Sequence, residues 1–141
     1  MLRAVVDPGV LIAGLISPHG TPAGILVRWR DGEFDLVVSP SLIEELERVL
    51  ARPKFSPYVQ PAEAAAYVSM LREEGVTIAD PAPEPGLTPD PGDDYLLALA
   101  RASGAAVLVS GDPHLTGLKG PDPPVLTPRQ FLDRLEAPTG H

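Results

Sequence analysis

Cysteine is absent from the 141-residue chain, which removes disulfides, thiol nucleophiles and cysteine-ligated zinc together. Any bound metal must therefore be held by oxygen or imidazole. Cations are also scarce: 11 Lys plus Arg stand against 19 acids, for a net charge of -8. A non-specific duplex binder draws its affinity from neutralising phosphates, and this balance argues against one. A nuclease remains compatible, because carboxylates gathered around divalent cations raise the acid count without closing the site to a phosphodiester. Long apolar runs are missing too. None approaches the roughly 20 residues that cross a bilayer, and Leu2 to Val6 is too short for the apolar region of a secretory signal and ends on an acid. No membrane association and a cytoplasmic location are expected.

What is present fits one soluble globular domain, with 44% hydrophobic residues and a mean hydropathy of +0.07. The domain is expected over residues 1–136, with 137–141 as a flexible C-terminal tail. The 18 prolines, together with only two lysines, Lys54 and Lys119, point to stiffened loops.

The chain is organised around its opening stretch. Leu2, Ala4, Val5 and Val6 run without alternation into Asp7, and Pro8-Gly9 turns the chain into a second apolar run, Val10 to Ile16. This reads as a buried strand, a tight turn and a short helix. Thr21-Pro22 predicts a capped helix to about Arg30, and Glu33 to Val38 a second strand. Ser39-Pro40-Ser41 opens a third helix, in which Ser41 and Glu44 have capping-box spacing. On its wheel Leu42, Leu46, Val49 and Leu50 form one stripe, Glu44 lies opposite, and Glu45 sits on the border.

Pro61 to Glu74 supplies another helix stopped by Gly75, followed by a short strand over Val76 to Ala79. Residues 80–92, rich in proline and acids, form a surface loop. A nearly all-apolar helix starts at Asp93-Asp94 and ends at Gly104, and Ala105 to Val109 delivers Ser110-Gly111-Asp112 as a fourth strand. Val125-Leu126 is a fifth strand, and Thr127-Pro128 caps a last helix through Leu135. Alternation of strands and helices predicts an α/β fold with a parallel sheet and right-handed crossovers.

In an open parallel sheet, ligands bind beyond the carboxyl ends of the strands. Four elements can each bring one carboxylate there: Asp7, Glu45, one of Asp93 and Asp94, and Asp112. Two carboxylates about 4 Å apart repel by roughly 4 kcal/mol at an effective dielectric near 20, so ionised acids converging in a cleft need cations or protons. Oxygen-only ligation with open positions selects Mg²⁺ or Mn²⁺.

Four segments carry a family resemblance: the opening Val-Val-Asp, the run from Ser39 to Phe55, the Asp-Pro-Gly-Asp-Asp-Tyr-Leu-Leu-Ala-Leu-Ala segment and Val-Leu-Val-Ser-Gly-Asp-Pro-His-Leu. In family order, from Leu2 to Leu135, the chain resembles a PIN domain, in particular the toxins of toxin-antitoxin pairs related to VapC-type ribonucleases. The resemblance implies a three-layer α/β/α fold with a mostly parallel five-stranded sheet, and cleavage of RNA with Mg²⁺ or Mn²⁺ as cofactor. Carried over residue by residue, the catalytic acids are Asp7, Glu45, Asp94 and Asp112, with Asp7, Asp94 and Asp112 on the metal. Ser110 matches the family's hydroxyl residue before the last acid and is assigned with Arg52 and Lys54 to the substrate. An antitoxin protein and a homodimer are the implied partners. Two motifs depart from the family: Asp7-Pro8-Gly9 stands where Asp-Thr-Asn is usual, and His114 where a further Asp often follows. These departures motivate an alternative, a weakened or inactive nuclease that keeps the fold for binding a partner protein or RNA.

Overall fold

The computed structural model describes residues 1–88 and 91–137. All but the first residue of the expected C-terminal tail therefore lies outside the described residues. Five strands form one sheet in the order β3-β2-β1-β4-β5, every neighbouring pair parallel. They are β1 (Arg3–Val6), β2 (Asp35–Val38), β3 (Val76–Thr77), β4 (Val107–Val109) and β5 (Val125–Leu126). Seven helices accompany them: α1 (Pro8–Ile16), α2 (Thr21–Arg30), α3 (Pro40–Leu50), α4 (Pro61–Glu74), α5 (Asp94–Ala102), α6 (Pro113–Thr116) and α7 (Pro128–Glu136). The parallel α/β architecture is the expected one.

Apart from Arg3 at the start of β1, strands β1 and β4 are apolar because helices cover both of their faces. Ala4, Val5, Val107, Leu108 and Val109 are fully buried. Chain order runs outward from β1 to β2 and β3, then returns to β4 on the other side of β1. The reversal places the topological switch between β1 and β4, where open α/β sheets leave a crevice at the strands' carboxyl ends. Asp7 follows β1 and Ser110 follows β4, so both sit at that switch.

Local details differ from the sequence expectation where proline decides the register. Pro40 takes the first helical position of α3, which makes Ser39 the cap, its Oγ accepting from Leu42 N at 3.2 Å. Ser41 is therefore inside the helix, and its free N–H donates to Asp80 Oδ2 at 3.0 Å instead of joining a box with Glu44. Likewise Gly20, not Thr21, caps α2, while the Thr21 hydroxyl accepts from Arg129. Gly75 ends α4 with an ordinary φ of -75°. Its need is space, since a Cβ there would lie 2.6 Å from Leu71 O and 3.2 Å from Leu36 O. Strand β3 is two residues shorter than expected, and α6 is an additional short helix started by Asp112 and Pro113.

Candidate active site

Asp7 is the N-cap of α1. Its Oδ1 accepts from Gly9 N at 2.9 Å, one of the donors a helix start leaves unpaired. Its Oδ2 accepts from Ser110 Oγ at 2.7 Å, across the β1–β4 boundary. The same Ser110 oxygen accepts from Asp112 N at 3.0 Å. Asp112 in turn caps α6 through Oδ1, which accepts from His114 N at 2.9 Å. Two strand-end acids are thus joined through one buried hydroxyl. Ser110, expected to meet the substrate, is fully buried, and its hydroxyl bonds the Asp7 carboxylate and the Asp112 backbone N–H.

Glu45 reaches the same mouth from α3. Its Oε1 accepts from the Tyr95 hydroxyl at 2.8 Å. The Tyr95 phenol is pushed well above its ordinary value, first by burial and then by the negative charges of Glu45, Asp7 and Asp93. Glu45 is the acid in direct contact with this hydroxyl, and Tyr95 stays a proton donor at neutral pH.

Asp94 is placed differently. Its side chain is buried and faces the loop before α5, accepting from Gly86 N at 3.0 Å, Thr88 N at 2.7 Å and Thr88 Oγ1 at 2.8 Å. The Thr88 hydroxyl is the main cause that holds its carboxyl below the usual carboxylate range, against the opposing effect of burial. Of the Asp93–Asp94 pair, the later residue anchors the loop, and the earlier one is among the charges that raise the Tyr95 phenol. Tyr95 itself escaped the sequence reading. Its position two residues past Asp93, on the first turn of an otherwise apolar helix, was the available signal.

No described Lys or Arg forms an ion pair with Asp7, Glu45 or Asp112; the ion pairs of the protein lie elsewhere, such as Arg28 with Glu33 and Glu136, Arg30 with Glu74 and Arg72 with Glu47. Among the described residues, no three Asp, Glu or His side chains gather closely enough to hold a metal ion by themselves. The donor set is all oxygen and anionic, and each Asp7 oxygen has a lone pair beyond its single hydrogen bond. That chemistry fits a hard divalent cation. Arg52 and Lys54 are exposed on the turn that follows α3, without an acidic partner among the described residues.

A family model for the PIN domain matches residues 3–114. Among solved structures, the chain is similar to PAE2754 from Pyrobaculum aerophilum, with 20% identity and a TM-score of 0.65 over 95% of this chain and 89% of that one. It is also similar to VapBC2 from Rickettsia felis, solved bound to a DNA fragment from their promoter, with 13% identity and a TM-score of 0.62 over 89% of this chain and 98% of the other. At such identities these two likenesses concern the fold. No curated protein matches the sequence.

Proposed function

The chain belongs to the PIN domain family, whose members are generally nucleases, and on that premise we propose that it is a metal-dependent endoribonuclease acting as the toxin of a toxin-antitoxin pair. The observation that supports the proposal is the link between Asp7 and Asp112 through Ser110 at the β1–β4 switch, with Glu45 bonded to Tyr95, whose phenol is also raised by Asp7 and Asp93. Asp7, Asp93 and Asp112 would be drawn together around Mg²⁺ or Mn²⁺, since without the ion they do not stand close enough to form a closed site. Asp93 is taken in place of Asp94 in this reading because its negative charge acts on Tyr95 together with those of Glu45 and Asp7, while Asp94 accepts three hydrogen bonds from the loop residues Gly86 and Thr88. When bound, the ion supplies Lewis-acid polarisation of the phosphodiester.

The chain's own residues do the rest. Ser110 fixes the rotamer of Asp7, and Gly9 N holds its second oxygen. Tyr95 takes one oxygen of Glu45, leaving Oε2 to accept a proton from the attacking water. Arg52 and Lys54 are proposed to neutralise substrate phosphates. An antitoxin protein and a second copy of the chain are its proposed partners, in the cytoplasm; among the described residues no single helix is long and apolar enough to cross a membrane.

The test is hydrolysis of RNA in Mg²⁺ or Mn²⁺ with and without EDTA. Cleavage should stop with the chelator and in an Asp7→Asn/Asp93→Asn double variant; cleavage that persists in that variant sinks the proposal. A second reading, an inactive module binding RNA or a partner, is favoured by Pro8, Gly9 and His114 at two of the motifs. It requires that the natural chain cleave nothing under any divalent ion.

A further inference from the structure

Resting on the nuclease reading, we infer that the face of α3 beginning at Glu45, with the turn beyond it, is a track for single-stranded RNA that leads the strand into the acid mouth. In a chain of net charge -8, the fifteen residues 48–62 contain no acid; they hold Arg48, Arg52 and Lys54 and the aromatics Phe55 and Tyr58. The acids that bracket this segment are engaged. Glu47 pairs with Arg72 at 3.5 Å, and Glu63 Oε1 accepts from Gln60 N at 3.1 Å. Arg48, Arg52 and Lys54 form no ion pair with any described acid, whereas Arg28, Arg30, Arg72, Arg101 and Arg129 all do; Arg3, Lys119 and Arg134 also stand outside ion pairs with described acids but are scattered along the chain. The segment is a local positive lobe on an acidic molecule.

Helix geometry connects it to the mouth. Glu45 and Arg48 are spaced i, i+3 and fall on one face of α3, which ends at Leu50, and Arg52 opens the turn two residues beyond that end. The root of α3 is Ser39 at the carboxyl end of β2, and α4 returns to β3 beside that same end, since Val37 and Val38 pair with Val76 and Thr77. The turn between the two helices is thus the far end of an arm rooted at the edge of the site. At that end Lys54 lies over the Phe55 ring, 5.1 Å from its centroid. The Tyr58 side chain is 66% exposed. Cations that follow a backbone and an open aromatic face on which a base stacks are the two components of single-strand binding. A duplex keeps its bases stacked on each other and could use only the charges. RNA is chosen over an acidic protein partner because the segment continues from the helix that carries Glu45, where the nuclease reading needs a strand to be led.

The experiment is fluorescence anisotropy of a labelled single-stranded RNA oligonucleotide and a duplex of equal length on the full chain. It is done in an Asp7→Asn background with Mg²⁺, over a range of salt. The single strand should bind more tightly than the duplex. Arg48→Gln/Arg52→Gln/Lys54→Gln should weaken it at least tenfold and flatten the log–log salt slope by about 2, as expected for three lost phosphate contacts on a single strand. Tyr58→Ala, at an exposed position that does not support the core, should weaken single-strand binding about 5- to 150-fold and leave the duplex unchanged. An unaltered slope in the triple variant, or unaltered single-strand binding in Tyr58→Ala, overturns the track. A natural chain that cleaves nothing while these variants still lose binding would overturn the nuclease reading and leave the track standing. Full cleavage by the natural chain and the triple variant alike would do the reverse.

Discussion

The hydroxyl of Ser110 donates to Asp7 Oδ2 at 2.7 Å, and this bond joins the carboxyl ends of the two central strands. Because the same oxygen also accepts from Asp112 N at 3.0 Å, one fully buried side chain sets the separation of two acids that lie more than a hundred residues apart.

Removing that hydroxyl leaves the Asp112 N–H without its acceptor and Asp7 without its orienting donor. Ser110→Ala should cost about 1–3 kcal/mol of stability, the ordinary penalty for an orphaned buried partner. Groups that orient metal-holding carboxylates typically contribute 10- to 100-fold in metal affinity. Urea unfolding gives the first number and calorimetric titration with Mn²⁺ the second. Full metal affinity in the variant would show that Ser110 does not position Asp7.

Tyr95→Phe removes only the donor to Glu45. If Glu45 receives the proton of the attacking water, its loss of orientation should lower kcat about tenfold with KM within about twofold, while stability changes by about 1 kcal/mol. Burial and the surrounding carboxylates keep the phenol protonated well above neutrality. The deficit should accordingly be the same at pH 6 and pH 9. A deficit that vanished toward pH 9 would mean that Tyr95 itself titrates in that range.

The sequence exposed the fold more completely than the site. Short unbroken apolar runs rich in β-branched residues, such as Val5-Val6 and Val107–Val109, read as strands covered on both faces, and the acids Asp7 and Asp112 shortly after them mark the carboxyl edge. Asp93 against Asp94 was not readable, because adjacent residues at a helix start differ by about 100° in direction and nothing local says which faces the sheet. What distinguishes them in the structure is the loop. Gly86 and Thr88 present three donors to Asp94, a tertiary relation between residues six to eight positions apart with proline between them. Ser39 as the cap of α3 follows from Pro40 taking the first helical position, a local rule that outweighs the Ser41–Glu44 spacing.

The Asp94 carboxyl titrates below its ordinary value because Thr88 and Gly86 donate to the charged form. A depressed folded-state pKa stabilises the protein above the unfolded carboxyl value of about 3.9, and that contribution fades as pH falls from there through the folded value. Asp94→Asn should therefore narrow the stability difference between neutral and acidic pH, with little change below the folded value. Cleavage in Asp94→Asn at neutral pH should exceed that in Asp93→Asn by at least tenfold. The opposite order would return Asp94 to the metal.

The unusual residues of the first and last motifs bear on activity in a way the hydrogen bonds make explicit. Where a threonine and an asparagine would offer side-chain donors, Gly9 already donates its backbone N–H to Asp7 Oδ1, and His114 donates its backbone N–H to Asp112 Oδ1 while its imidazole stays exposed. The acids are oriented without the missing side chains. A Cβ at Gly9 would lie 3.6 Å from Asp7 Oδ1, an ordinary contact, so the family's residues can be introduced there without steric conflict. A Pro8→Thr/Gly9→Asn/His114→Asp variant should then cleave RNA within about fivefold of the natural chain at saturating Mg²⁺. Cleavage that arises only in the triple variant would assign the natural protein to partner binding, and would trace the loss to side chains whose orienting work the backbone does not replace.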